Sequence, residues 1–196
     1  MSNSASWPST QMTLLSRLRD LDDDAVWQEF TKTYSSLIYG YCRNRQLQHA
    51  DALDVLQNAL IALRNGLLNY DPAKGKFRGW FCQIIWAEIA KFRRKQFRAG
   101  RPVDQECDQE FPAAKEREAW EQQFREHAVQ VALAHIRAEL DSARAMVLEE
   151  VVVKGRKPRN LVAEVGHDAA WISRMKYALM LRLKELVHFY AEGGLE

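Results

Sequence analysis

The chain has 196 residues, a hydrophobic fraction of 47% and a formal net charge of +2, which together fit one or two small domains with real cores. Its three cysteines form no C-x-x-C pair and its five histidines do not sit at ligand spacing beside them, so neither a disulfide framework nor a metal site is predicted. The N-terminus carries no apolar signal and no apolar run approaches the roughly 20 residues of a membrane span. We therefore expect a soluble cytoplasmic protein with reduced thiols and no cofactor.

The first half of the chain reads as helices. A short helix is expected around Leu14 to Leu21. A second helix, opened by aspartates that suit a helix N-terminus, carries an apolar face of Trp27, Phe30, Tyr34, Leu37, Ile38 and Tyr41. A third, from about 49 to 69, would bury Val55, Leu56, Ala59, Leu60, Leu63 and Leu67. Its outer face would present four polar residues, Asp51, Asp54, Gln57 and Asn58.

The stretch from 71 to 95, DPAKGKFRGWFCQIIWAEIAKFRRK, combines a turn, a helix pattern and many cations. From Lys74 to Arg101, nine basic residues stand against one acid, Glu88, which suggests a surface that binds a polyanion. The predicted core face of this helix is Phe77, Phe81, Ile84, Ile85, Ile89 and Phe92.

Trp86 is predicted to lie off that core face, exposed among cations. Bases of a single strand can stack on such a ring while cations hold the phosphates. The candidate single-strand contacts are Lys74, Lys76, Arg78, Gln83, Trp86, Arg93 and Arg94. The alternative is that Trp86 packs against another helix of the same domain.

The second half begins with a linker at residues 100 to 112, whose acids are Asp104, Glu106, Asp108 and Glu110. A long helix from 113 to about 140 and a shorter one around Ala143 to Lys154 follow. Then come a short helix opened by Pro158, a break at Gly166-His167 and a long helix capped by Asp168. This order fits a helix-turn-helix, wedged together by Leu161, Val162, Val165, Ile172 and Met175.

In that geometry the second helix of the motif would read base edges in a major groove. Candidates for this role are Ala169, Ala170, Trp171, Ser173, Arg174, Lys176 and Tyr177. Lys157, Arg159 and the start of the helix would hold phosphates. An unrelated helical hairpin with a glycine turn is the alternative.

The fold class that follows is all-α, with two small helical domains at 10–98 and 116–191 joined by a flexible acidic linker at 99–115. The order of features resembles the bacterial RNA polymerase sigma factors of the extracytoplasmic-function (ECF) class. The resemblance rests on the D-x-x-D-x-x-Q pattern at Asp51, on NYDPAKGKFRGWF, on EIAKFRRK and on the C-terminal helix-turn-helix. It spans about Leu14 to Val187.

This resemblance implies partners for each part. The helix with Asp51, Asp54, Gln57 and Asn58 would bind a coiled coil of bacterial core RNA polymerase. The basic loop and helix would capture the −10 element and hold the melted strand, and the linker would thread towards the active-site and RNA-exit channels. The helix-turn-helix would read double-stranded promoter DNA at the −35 element and contact the polymerase flap. An anti-sigma factor is a further candidate partner, and no membrane or enzymatic role is implied.

Several positions depart from the family pattern. Leu53 and Asn58 stand where acids are usual, Trp86 and Ala87 where Arg and Asn are common, and Lys91 where Asp is usual. Two rival functions also stay open. One is a stand-alone helix-turn-helix DNA-binding regulator, and the other is a sigma-like adaptor without promoter-opening activity.

Overall fold

A computed structural model describes residues 24–100 and 113–191, and these residues form helices joined by turns, without strands. The first four helices in these residues are long: α1 (Asp24–Asn44), α2 (His49–Leu67), α3 (Phe77–Arg98) and α4 (Ala114–Glu139). After them come α5 (Ser142–Val147), a π-helical continuation over Leu148–Val153, α6 (Val162–Val165) and α7 (Ala169–Ala191). Short 3-10 turns at Pro72–Lys74 and Pro158–Asn160 precede α3 and α6. The predicted all-α fold class is confirmed.

Two of the predicted features lie outside the described residues. These are the short helix around Leu14 to Leu21 and the acids of the linker, Asp104, Glu106, Asp108 and Glu110.

The chain divides into two compact units. The described residues up to Trp120 belong to the first, and Glu121–Ala191 form the second. The division falls inside α4, between Trp120 and Glu121, whereas the sequence predicts that the second domain starts at residue 116. The first turns of α4 therefore belong with α1, α2 and α3.

The first unit has an aromatic core between α1 and α3. The ring centroids of Phe30 and Tyr34 are 4.8 Å apart, and Tyr34 meets Phe81 edge-on at 5.5 Å. Such tilted and edge-on pairs are the arrangements that aromatic rings prefer. The predicted apolar face of α1 is buried except for Trp27, which is only half-buried.

α2 packs between α1 and α3 and buries a narrower stripe than the sequence predicted. Val55, Ala59, Leu63 and Leu67 are buried as expected, and Ala52 joins them. The predicted core residues Leu56 and Leu60 are only half-buried. The reason is that the partners of α2 cover one side of the helix, so residues at the edge of the stripe stay partly in contact with solvent.

The turn between α2 and α3 is held by local hydrogen bonds. The Asp71 carboxylate accepts from the backbone N–H of Ala73 at 3.0 Å, and the Tyr70 hydroxyl donates to the Gly75 carbonyl at 3.0 Å. Aspartate before proline favours such a turn because the side chain bonds the backbone two residues on. Lys74 and Lys76 follow on this turn, and both are exposed.

The second unit has an aliphatic core. Leu161, Val165 and Ile172 belong to it, which places the helix-turn-helix elements α6 and α7 on a common support. Gly166 adopts a φ of 73°, the left-handed conformation that favours glycine and ends α6. The predicted cap is confirmed, since the backbone N–H of Trp171 donates to the Asp168 carboxylate at 2.6 Å.

The predicted wedge of the helix-turn-helix needs one correction. Val162 is exposed rather than buried, and Met175 is half-buried. α6 contains only four residues, so a single face of one turn can reach the core, and Leu161 and Val165 occupy it.

Candidate nucleic-acid and polymerase interface

The outer face of α2 brings together the predicted polymerase-binding residues. Asp54, Gln57 and Asn58 are exposed and Asp51 is half-buried. Neither carboxylate forms an ion pair with a residue that the structure describes. Two aliphatic side chains, Leu53 and Ile61, are also exposed on this helix.

Leu53 and Ile61 change the chemistry expected of this face. The sequence pattern predicts this face from its polar residues alone, with Leu53 as a departure from the family pattern. Positions 53, 57 and 61 are four residues apart and so lie on one side of the helix. An apolar centre with a polar rim is the usual composition of a protein-binding surface.

The environment of Trp86 contradicts the prediction that its ring is exposed. Its side chain is only 7% exposed. Cys82 and Ala90, one turn before and after it, are buried too. At about 100° per residue, Trp86 lies only about 60° around the helix from Ile89, so it extends the core face rather than leaving it. The predicted exposure of Trp86 is wrong, and packing within its own domain, the alternative, is what the structure shows.

A buried arginine lies beside Trp86. The guanidinium of Arg45, near the end of α1, is 3.3 Å from the centroid of the Tyr41 ring and 5.7 Å from that of Trp86. It forms a short ion pair with Glu116 on the first turn of α4, and the two side chains are 10% and 32% exposed. A charge this deeply buried requires such a partner, because desolvation disfavours it strongly.

Arg93 also takes part in this internal network. Its guanidinium donates to the backbone carbonyl of Arg45 at 3.1 Å, and the side chain is half-buried. The predicted role of Arg93 as a freely exposed phosphate contact therefore needs correction. In the described unit, this arginine ties α3 to the end of α1.

Trp120 completes the core of the first unit and was not anticipated from the sequence. Its indole N–H donates to the backbone carbonyl of Arg78 at 2.9 Å. Its ring meets Tyr41 and Phe81 edge-on, at 4.9 and 5.4 Å. The available signal was a tryptophan within a strongly charged segment, which indicates one buried point on an otherwise solvated helix.

The buried cysteines of this unit do not suggest a reactive site. Burial raises the pKa of the Cys42 thiol to about 12, with a smaller opposing effect of Arg45. Burial likewise raises the pKa of the Tyr41 hydroxyl well above its ordinary value, with the neighbouring Cys82 as the next cause. Both groups stay protonated near neutral pH, and a protonated thiol is a poor nucleophile.

Among the predicted single-strand contacts, the exposed basic residues lie on the turn before α3 and on the outer side of that helix. Lys74 is 3.9 Å from the Asp71 carboxylate, a long contact between exposed groups that stabilises little. Gln83 and Arg94 are exposed, whereas Arg78 is half-buried. Lys91 is paired with Glu88 at 2.6 Å. The exposed predicted single-strand contacts are thus Lys74, Lys76, Gln83 and Arg94.

Residues 30–99 match the family model for sigma-70 region 2. The match begins within α1, ends just after α3 and includes the α2 face and the basic turn. It supports a sigma factor, with a role in RNA polymerase binding and promoter recognition. No curated protein and no solved structure matches the chain.

The second unit lies outside the region 2 match, and α7 presents the predicted base-reading residues in two groups. Ala170, Ser173, Arg174 and Tyr177 are exposed, whereas Ala169, Trp171 and Lys176 are half-buried. The Trp171 ring stacks on His167 with centroids 3.8 Å apart. The Ser173 hydroxyl donates to the Ala169 carbonyl at 2.8 Å, so it keeps only acceptor capacity for an outside partner.

The predicted phosphate contacts of the second unit, Lys157 and Arg159, are both exposed and form no ion pair within the described chain. The neighbouring Arg156 differs, because it is bonded to Glu150 at 2.9 Å and to Glu164 at 2.7 Å. The sequence alone does not separate these three cations, and the carboxylates within reach of Arg156 make the difference.

Within residues 24–100 and 113–191, no group of three or more histidine, cysteine, aspartate or glutamate side chains could hold a metal ion. None of the helices in the same ranges is both long and apolar enough to cross a membrane.

Proposed function

We propose that the chain is a sigma factor of the ECF class, which binds core RNA polymerase and directs initiation at specific promoters without enzymatic activity of its own. The observation that carries this proposal is the combination of two surfaces in the unit that contains the region 2 match. One is the exposed face of α2, and the other is the cationic turn before α3 with the outer side of that helix.

The α2 face is the proposed contact with polymerase. Asp51, Asp54, Gln57 and Asn58 would supply polar contacts, and Leu53 and Ile61 would supply the apolar centre. The absence of internal ion partners for Asp51 and Asp54 among the described residues supports this role. Carboxylates that face solvent unpaired can meet cations of a partner without first breaking an internal bond.

The cationic turn and α3 are the proposed contacts with the −10 element. Lys74, Lys76 and Arg94 would neutralise phosphates, and Gln83 would offer an amide to a base or to the backbone. Arg78 and Arg93 would act indirectly by fixing α3 in the bundle. Extruding a base from a duplex costs a few kcal/mol, so the open strand needs contacts that the closed duplex does not have.

The helix-turn-helix is the proposed reader of the −35 element. Lys157 and Arg159 would hold phosphates, while Arg174, Tyr177 and Ala170 would face base edges at the start of α7. Because alanine offers no hydrogen bond, thymine methyl contacts and DNA shape would carry part of the readout. We include contact of this domain with the polymerase flap in the proposal, and an anti-sigma factor as a further partner of the protein.

One observation favours a second candidate, a sigma-like adaptor that binds polymerase without opening DNA. The burial of Trp86 removes the tryptophan that was expected to hold a melted strand. An adaptor would keep the α2 face and would not need any ring for an unpaired base.

Run-off transcription with purified bacterial core polymerase on a library of promoters tests these alternatives. A sigma factor predicts start sites that disappear when the protein is left out. An adaptor would bind polymerase without producing start sites, and a stand-alone regulator would bind duplex DNA without needing polymerase.

Asp54→Arg tests the α2 contact directly. We expect it to abolish polymerase binding while the helical content stays unchanged, because the side chain is exposed. Glu118→Arg is the matched control, since it makes the same change of charge at an exposed position on α4. Equal polymerase affinity for the two variants would remove the α2 face from the proposal.

A further inference from the structure

Phe97, in the last turn of α3, is the most exposed of the large hydrophobic side chains that the structure leaves in contact with solvent, at 72%. The buried residues of α3 end at Ala90, so Phe97 lies beyond the part of the helix that the core covers. Because the ring is left in water, it contributes little hydrophobic burial to the stability of the unit.

The neighbours of Phe97 are cations. Arg94 lies three residues before it and therefore on the same side of the helix. Lys95 and Arg98 share the last turn, and all three are exposed. None of these three forms an ion pair with a described residue, in contrast to Lys91, which is bonded to Glu88.

The helix end explains the cations only in part. Basic residues are favoured in the last turn of a helix because they complement its dipole. That effect does not call for an exposed ring among them. A protein-binding patch would be expected to group several apolar side chains, but Phe97 is the single large hydrophobic residue of α3 among the exposed ones.

We propose that Phe97 is the ring on which an unpaired base of single-stranded DNA stacks, with Arg94 and Arg98 holding the flanking phosphates. This inference rests on the proposed function and identifies the stacking group that Trp86 does not supply. A phenyl ring has no hydrogen-bonding group, so it stacks on any base and carries little sequence information. Guanidinium groups beside it supply the charge that attracts the phosphates.

Titration of the full chain with a single-stranded oligodeoxynucleotide containing 2-aminopurine tests the stacking. Phe97→Ala should weaken binding by about 5- to 150-fold, the range that loss of one stacked base produces. Phe97→Leu keeps an apolar side chain of similar size but has no aromatic face, so it should weaken binding to the same extent. Phe97→Trp should retain the affinity and the change in 2-aminopurine fluorescence.

Salt dependence separates the ring from the cations. Arg94→Ala and Arg98→Ala should each reduce the slope of log affinity against log salt by about 0.7, the value for one phosphate contact of a single strand. Phe97→Ala should lower the affinity without changing that slope.

Three results would overturn the inference. The first is wild-type affinity in Phe97→Leu, and the second is no binding of the strand by the wild-type chain, either alone or with core polymerase. The third is a loss of polymerase affinity in Phe97→Ala with strand binding unchanged, which would assign the ring to a protein contact. Because the titration without polymerase is independent of run-off transcription, failure of the stacking and failure of the sigma-factor function are distinguishable.

Discussion

Trp86 and Phe97 stand eleven positions apart on α3, and both have arginines or lysines near them in sequence. Their environments are opposite, since Trp86 is 7% exposed and Phe97 is 72% exposed. Trp86 faces the end of α1, where Arg45 and Tyr41 cover it, whereas Phe97 lies in the last turn, past that packing. Eleven residues bring Phe97 back to within about 20° of Trp86 around the helix, so the two rings share nearly the same angle. Their difference in exposure is therefore set by how far the neighbouring packing extends along α3, and nearby charges in the sequence do not reveal it.

The largest expected effect sharpens this comparison directly. Trp86→Ala should lower the free energy of unfolding of the first unit by about 3–5 kcal/mol, the usual cost of removing a large buried aromatic side chain. Phe97→Ala should change it by less than about 0.5 kcal/mol, as is typical of surface positions. Urea denaturation, followed by hydrogen exchange of α1 to α3, measures both. Similar losses in the two variants would contradict the contrast between the rings.

Helical periodicity predicted most of the fold. The apolar faces of α1 and α2, the turn at Asp71, Gly166 as a break and Asp168 as a cap follow from local rules that hold within a few residues. The match to sigma-70 region 2 agrees with the order of motifs in the same stretch.

The candidate site was less predictable because its chemistry depends on contacts distant in sequence. Arg45 meets Glu116 across 71 positions, and Trp120 meets the carbonyl of Arg78 across 42. No local pattern places these pairs. Arg45 also contacts Trp86 and Arg93, so these two side chains are internal, whereas Arg94 and Phe97 face solvent.

The next effect concerns the ion pair that closes over Trp86. Glu116→Ala should lower the stability of the first unit by about 1–3 kcal/mol, because it leaves the buried guanidinium of Arg45 without its carboxylate. The effect is expected to be below the largest recorded for buried pairs, since the Glu116 side chain is 32% exposed and solvent partly replaces it.

A double-mutant cycle provides the control for this pair. The cycle compares Arg45→Met, Glu116→Leu and the double variant. Because the double variant removes both charges, it should lose less stability than the sum of the losses in the two single variants. Strict additivity would show that the two side chains do not interact in solution.

A smaller effect is expected in the second unit at the start of α7. Asp168→Ala should cost about 1 kcal/mol, because the backbone N–H of Trp171 loses its acceptor. Asp168→Asn keeps a capping oxygen and should cost much less. Hydrogen exchange of the first amides of α7 reports the change, and equal protection in the two variants would contradict the capping role.

The smallest effect is a dependence on pH that arises from the Arg156 cluster of the second unit. Hydrogen bonds from the Arg156 guanidinium, at 2.7 and 3.1 Å, hold the pKa of Glu164 below its ordinary value, with burial as a weaker opposing effect. Hydrogen bonds from Lys154 and then from Arg156 lower the pKa of Glu150, and Arg156 is bonded to both carboxylates.

Because the pKa of Glu164 is lower in the folded state, its ionised form stabilises that state. This contribution is fully present above the carboxyl pKa of the unfolded chain, about 4.3, and is lost as the pH falls through the folded value. Glu164→Gln should therefore show a smaller loss of stability between neutral pH and about pH 3 than the wild-type chain. Arg156→Gln removes the donor and leaves Glu164 in place. It should reduce the dependence of stability on pH at least as much, since Glu150 also loses its hydrogen bond from Arg156. Thermal unfolding across this range is the measurement, and a wild-type profile in Glu164→Gln would show that the bond to Arg156 does not persist in solution.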